Sequence, residues 1–155
     1  KNTVPDVNGK NIDILVENMG RVNFGPYLEL QRKGIDHCVQ INGHMHNNWM
    51  QYTLPLDNIE KLDFGKEYKD GTPAFFKFEF DADECADTFL DLEGWGKGCV
   101  FVNGFNIGRF WKIGPQKRLY IPAPLLIKGK NEIVVFETEG ERAEYISLKD
   151  EPELG

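Results

Sequence analysis

Apolar and polar residues alternate along most of this chain. Ile12, Ile14 and Val16 fall at every second position in NIDILVE, as do Leu28 and Leu30 in YLELQ. IDHCVQING begins at Ile35 and ends on Asn42-Gly43, and a run from Trp49 to Leu54 stops at Pro55. Phe76, Phe78 and Phe80 interleave with Phe75, Lys77 and Glu79 in the clearest case, and TFLDL, GCVFV, KRLYIP, NEIVVFE and EYISL follow. A period of two is that of a strand with one face buried. Turn dipeptides separate the runs: Asn8-Gly9, Lys33-Gly34, Asn42-Gly43, Asp70-Gly71, Lys97-Gly98, Asn103-Gly104, Gly114-Pro115 and Lys128-Gly129. Short strands with such frequent punctuation predict an all-β, antiparallel, two-sheet sandwich or a barrel. Short helical turns are expected only near 56–62 and 125–127.

Residues 100–111, VFVNGFNIGRFW, raise a specific question. Asn-Gly tolerates the two positive φ angles of a type I′ turn, so Asn103 and Gly104 predict a hairpin tip, with Gly108 ending or bulging the return strand. Arg109 and Trp111 then remain. Arg109 is expected to stack on a ring or to pair with Asp91 or Glu93. Trp111 is read either as a core residue with its indole N–H satisfied or as an exposed platform for a sugar ring.

Composition narrows the function classes. Among 155 residues, 41% are hydrophobic, and 11 Phe, 5 Tyr and 3 Trp favour strands and a sizeable core. A net charge of −7 argues against a nucleic-acid backbone or an anionic membrane as partner. No apolar run approaches the ~20 residues of a membrane span. Cys38, Cys85 and Cys99 form no CxxC pair and read as thiols. The first residues, KNTVPDVNGKN, lack the layout of a signal peptide and an initiator Met, so the chain reads as a processed product or an excised piece of something longer, of open compartment. One domain is expected over 12–149, with a frayed lead-in at 1–11 and a mobile acidic tail at 150–155.

The stretches DILVENMGRVNFG at 13–25 and DTFLDLEGWGKGCVFVNGFNIGRFWKIGPQKRLYIPAPLLIKGKNEIVVFE at 87–137 together resemble the C-terminal β-domain of family 35 glycoside hydrolases, the β-galactosidases. The resemblance runs from about residue 12 to residue 137 and takes in Trp49–Tyr52 and the PAFFKFEF run. It implies a galactose-binding-like jelly roll. It also implies a parent enzyme that removes terminal β-galactose with retention, using two glutamates on a (β/α)₈ barrel. That barrel would be this segment's partner within the same parent chain, alongside a second subunit or galactosides as further partners.

Candidate chemistry within the segment is sparse, and no catalytic residue is assigned. Retaining hydrolysis needs two carboxyl groups about 5–5.5 Å apart. In a strand, Asp87 and Asp91 would lie about 13 Å apart and Asp91 and Glu93 about 6–7 Å, and solvated strand carboxylates are the simpler reading. His44 and His46, with His37 or Cys38 nearby, lack a fourth zinc ligand. Asp81, Asp83, Glu84 and Asp87 are weak Ca²⁺ candidates without EF-hand spacing; no cofactor is called for. For sugar binding or interdomain contact the expected residues are Trp49, Tyr52, Trp95, Arg109, Trp111 and Gln116. The glycines around Trp95 in GWGKG suggest an exposed loop. Two readings result: an accessory structural domain of a β-galactosidase, or an autonomous carbohydrate-binding module.

Overall fold

The computed structural model describes residues 12–18, 20 and 22–154. Its contacts cluster into two compact units, 1–55 and 56–155, where the alternation pattern suggested one domain over 12–149. The expected frayed lead-in at 1–11 lies outside the described residues.

Within the first unit the strands are β1 (Val39–Ile41) and β2 (His44–His46), joined through Asn42 (φ 51°) and Gly43 (φ 80°). Both turn residues take the left-handed region, as a two-residue hairpin requires. His44 and His46 are exposed strand residues. Leu28–Leu30, expected extended, form a 3₁₀ turn, and neither 12–17 nor 49–54 is assigned to a strand.

The second unit holds β3 (Ala74–Ala82), β4 (Thr88–Asp91), β5 (Lys97–Val102), β6 (Phe105–Trp111), β7 (Arg118–Ile121), β8 (Gly129–Glu137) and β9 (Ser147–Lys149). Four strands pair in the order β3-β8-β5-β6 and three in the order β7-β4-β9, all antiparallel. In chain order every connection except the β5–β6 hairpin passes from one sheet to the other. That alternation is the jelly-roll form of a two-sheet sandwich. Short 3₁₀ turns at Ile59–Lys61 and Ala123–Leu125 lie close to the helical turns expected from the sequence.

Burial explains which runs alternate and which do not. Phe76, Phe78 and Phe80 of β3 face the core, joining Leu90, Trp95, Val100, Val102, Phe110, Ile121, Ile133 and Val135. The opposite face of the larger sheet is covered too: Leu56, Ile59, Leu62 and Phe64 pack on Phe75, Phe101 and Val134. The central strands β5 and β8 are therefore buried on both sides, which is why GCVFV and NEIVVFE read as continuous apolar runs.

The hairpin predicted at 100–111 is present. Asn103 (φ 48°) and Gly104 (φ 83°) make its tip. Val100 faces Gly108 and Phe101 faces Asn106, so Ile107 is an extra residue on β6. The Asn106 side-chain oxygen accepts the Gly108 N–H at 2.9 Å and fixes this bulge, letting the strand run on to Trp111. At the tip, Asn103 Nδ2 donates to Leu125 O and to Asn131 Oδ1 at 2.8 and 2.9 Å, while its Oδ1 accepts the Glu132 N–H at 2.9 Å. Asn131, 1% exposed, also donates through Nδ2 to Ile127 O and Gly129 O and accepts the Ile127 N–H. Bonds link the acidic tail to the start of β7: Glu153 O accepts the Lys117 N–H at 2.9 Å, and Arg118 reaches Glu151 O and the Glu153 carboxylate.

Gly98 has a steric reason that its neighbours in the sequence conceal. A Cβ there would sit 1.7 Å from Phe136 O, so Gly98→Ala must force β5 away from β8. It is expected to cost about 3 kcal/mol or more, the upper end for overpacking. Gly104→Ala, which meets no atom within 4 Å, should cost only about 1 kcal/mol for a left-handed residue. Urea unfolding followed by circular dichroism tests the ranking. Replacing Asn131 by Leu should cost several kcal/mol in the same assay, because each partner left buried and unpaired costs about 1–3 kcal/mol.

Candidate functional site

A cleft of about 270 Å³ opens at the end of the sandwich, between the start of β5, the end of β6 and the segment after β4. That volume lies just below the ~300–1,000 Å³ of typical small-molecule sites, so it suits a single ring rather than an extended chain. Leu92, Trp95 and Phe110 line its apolar side; Trp111, Gly94 and the charged Asp91, Glu93, Lys112, Lys117 and Glu153 supply the rest.

Each of these side chains is set by its element. Trp95, at 1% exposure, is a core residue and not the exposed loop ring expected from GWGKG. Its indole N–H donates to Tyr145 O at 3.1 Å, and Phe76 and Phe78 meet it edge-on with centroids 5.1 and 5.9 Å away. The flanking glycines serve close approach of backbone and carboxylate: a Cβ on Gly96 would lie 2.7 Å from Glu137 Oε1. Trp111 is half-buried, pairs with Lys97 across the strands, and carries the Lys97 ammonium 5.3 Å from its ring centroid.

The charged groups around the cleft are mostly engaged. Asp91 accepts from Arg118 Nε at 3.1 Å, directly across β4 and β7, and from the Glu93 N–H at 3.0 Å. Arg118 is thus an arginine that reaches Asp91. Lys112 bonds Glu141 at 2.5 Å with Glu139 at 3.8 Å, and these carboxylates, Glu141 first, hold its pKa above the ordinary lysine value. Lys117 Nζ donates to Lys112 O. Chemically the cleft offers one aromatic wall, an exposed Glu93 carboxylate and two ammonium groups, a set that can orient hydroxyls.

The remaining expected residues lie elsewhere. Arg109 pairs with Cys99 in the β5–β6 ladder, and Gln116 sits exposed in the loop after the cis Gly114–Pro115 bond; neither lines the cleft. Trp49 and Tyr52 belong to the first unit, where Trp49 Nε1 donates to His46 O at 2.9 Å and Tyr52 is 76% exposed. Sequence reasoning missed Lys112 and Lys117; their positions flanking Gly114-Pro115 are the signal that could have drawn attention to them.

Among the described residues, no three His, Cys, Asp or Glu side chains converge as metal ligands. Asp87 anchors the 3₁₀ turn after β7, accepting the Ala123 N–H at 2.8 Å. That bond, then one from the Tyr120 hydroxyl, lowers its pKa below 3.8. Asp87 and Asp91 are therefore tied to separate structural partners rather than poised across a common substrate. A carboxyl whose folded pKa is depressed stabilises the fold above its unfolded pKa and loses that contribution as pH falls through the folded value. Asp87→Asn should accordingly flatten the acid limb of stability below about pH 4. Thermal melts of both proteins between pH 2.5 and 6 check this; parallel curves would contradict it.

Two family models match the chain: the first all-beta domain of β-galactosidase over residues 2–55, and the β-galactosidase galactose-binding domain over residues 73–131. Beta-galactosidase 17 of Arabidopsis thaliana is 40% identical over 92% of the chain and 23% of its own length. Beta-galactosidase 1 of Dictyostelium discoideum is 42% identical over 87% of the chain and 22% of its length. Human Beta-galactosidase-1-like protein 2 is 40% identical over 100% of the chain and 26% of its length. The chain thus spans about a quarter of the curated relatives it matches, and the two models fall on either side of the division at Pro55.

Proposed function

The chain belongs to the accessory all-β domains of β-galactosidases, and from that premise we propose that it serves as the C-terminal structural part of a retaining enzyme of glycoside hydrolase family 35. The hydrolytic glutamates would lie on a (β/α)₈ barrel of the same parent polypeptide, and this segment would pack on that barrel or on a second subunit. The observation that carries the reading is the extent of similarity: about 40% identity along nearly the whole segment to proteins roughly four times as long, named as β-galactosidases or as a β-galactosidase-1-like protein. The engaged state of Asp87 and Asp91 supports a structural role, since both carboxylates hold backbone or an arginine in place.

A second reading, a galactoside-binding module, is favoured by one specific feature: the half-buried Trp111 beside Glu93 in the cleft. An aromatic face with a few convergent polar groups is what recognition of a sugar ring requires.

Two measurements on the 155-residue chain separate the readings. Incubation with a chromogenic β-galactoside should give no turnover above buffer; turnover abolished by neutralising Asp91 or Glu93 would refute the structural reading. Titration with galactose, lactose and galactan, followed by tryptophan fluorescence, should remain flat into the tens of millimolar. Saturable quenching that Trp111→Ala removes would establish the binding module instead.

A further inference from the structure

Both rims of the cleft are tied to one short segment. One rim is the turn after β4, at 92–94, and the other is the loop at 112–117. Asp91 fixes the first by accepting the Glu93 N–H at 3.0 Å. Lys117 fixes the second by donating through Nζ to Lys112 O. Residues 150–154 reach both supports. Glu153 O accepts the backbone N–H groups of Lys117 and Arg118 at 2.9 and 3.4 Å. The Arg118 guanidinium donates through Nη1 to Glu151 O at 2.9 Å, through Nη2 to the Glu153 carboxylate at 3.2 Å, and through Nε to Asp91 at 3.1 Å. Glu153 itself lines the cleft. What holds 150–154 is polar throughout: every residue in it is exposed, Leu154 by 68%, and none joins an apolar cluster. A segment without buried apolar contacts opens at low free-energy cost. β9, which precedes it, is anchored separately by pairing with β4.

We propose that 150–154 is a strap, latched by Arg118 across the cleft, and that its release widens a single-ring pocket into a groove open to an extended galactoside. The strap rests on the bonds just described; its ligand rests on the reading of the cleft as a galactoside site. Latched, Glu153 narrows the mouth, and the cleft of about 270 Å³ has room for one ring. Unlatched, Arg118 keeps its bond to Asp91 and β4 stays paired with β7, so the sandwich is undisturbed. Nη1 and Nη2 then lose their partners on the strap and become donors for the hydroxyls of a ligand. A saccharide that stacks on Trp111 and takes up those donors binds the open state better than the closed one, and shifts the population towards it. In the latched state the same donors are occupied, which is why the intact cleft is expected to ignore galactosides.

The test compares the 155-residue chain with one shortened after Lys149, both carrying Trp49→Phe so that Trp111 is the accessible indole beside the buried Trp95. Acrylamide quenching of tryptophan fluorescence reads the cleft, and hydrogen exchange by mass spectrometry reads the latch. Shortening should speed exchange of the 117 and 118 amides by about 10-fold, the scale of one net hydrogen bond, and raise the Trp111 quenching constant by about 2-fold or more. Amides of β3, β5 and β8 should stay as slow as before. Glu153→Ala in the intact chain is the milder arm and should move both readouts the same way, by less. Faster 117 and 118 amides with unchanged quenching would overturn the proposal, because the segment would then cover β7 and not the cleft. Unchanged amides would overturn it by removing the latch, and acceleration throughout β8 would overturn it by making the segment part of the fold. Titration with galactose and a β-galactan oligosaccharide, followed at Trp111, reports on the ligand. Saturable quenching by the oligosaccharide in the shortened chain alone supports strap and ligand together. An opened cleft silent to both sugars upholds the strap and refutes the galactoside reading.

Discussion

The second unit depends on a buried anion. Glu137 closes β8 on its inward-facing register and is 1% exposed. An ionised carboxylate in that position is tolerable only if its oxygens are saturated with hydrogen bonds. Four backbone N–H groups do this: Lys97 and Glu139 donate to Oε1, each at 3.1 Å, and Gly140 and Glu141 donate to Oε2 at 2.5 and 3.0 Å. The surrounding sequence follows from that demand. Gly96 must lack a side chain, since a Cβ would approach Oε1 to 2.7 Å. Gly140 must turn with φ 74°, and its Cβ would collide with Gly71 at 2.3 Å. Lys112 then balances the outer glutamates 139 and 141. Trp95 is held between these constraints, which is why the cleft beside it has a rigid floor.

The opposite end of the sandwich is fixed by a neutral counterpart. Asn131 uses both amide atoms to join the β5–β6 turn, through Asn103, to the connection entering β8, through Ile127 and Gly129. A charged clasp at one end and an amide clasp at the other set the register of β5 against β8, the pair buried on both faces. The bulge at Ile107 can then bend β6 without loosening the sheet, because its neighbours in register are anchored at both ends. Trp111 reaches the cleft because β6 continues beyond the bulge rather than ending at Gly108.

These clasps mark the limit of what the sequence makes legible. Alternating or continuous apolar runs between turn dipeptides located the strands of the second unit, and Asn103-Gly104 located its hairpin, because both signals are local. Glu137 is the last residue of the NEIVVFE run, and its burial follows only from contacts such as that with Lys97, 40 residues away. The glycines of GWGKG look like a flexible loop, although Gly96 and Gly98 are compelled by a carboxylate and a carbonyl from β8. Trp95 was misplaced for that reason. Nor does the local sequence show that Arg118 stands opposite Asp91 across β4 and β7, a pairing that crosses between distant parts of the chain.

In the first unit the failure has the opposite form. The local pattern at 12–17 and 50–54 is as regular as that of β3, yet β3 became a strand and they did not. The difference is not propensity. β3 has β8 to pair with along nine residues and an apolar layer to face, whereas neither 12–17 nor 50–54 joins a strand ladder. Alternation specifies which side of a strand is to be buried, but a strand forms only when something supplies the other half of its hydrogen bonds and its core. The same hydrophobic pattern therefore becomes a strand in one unit and not in the other.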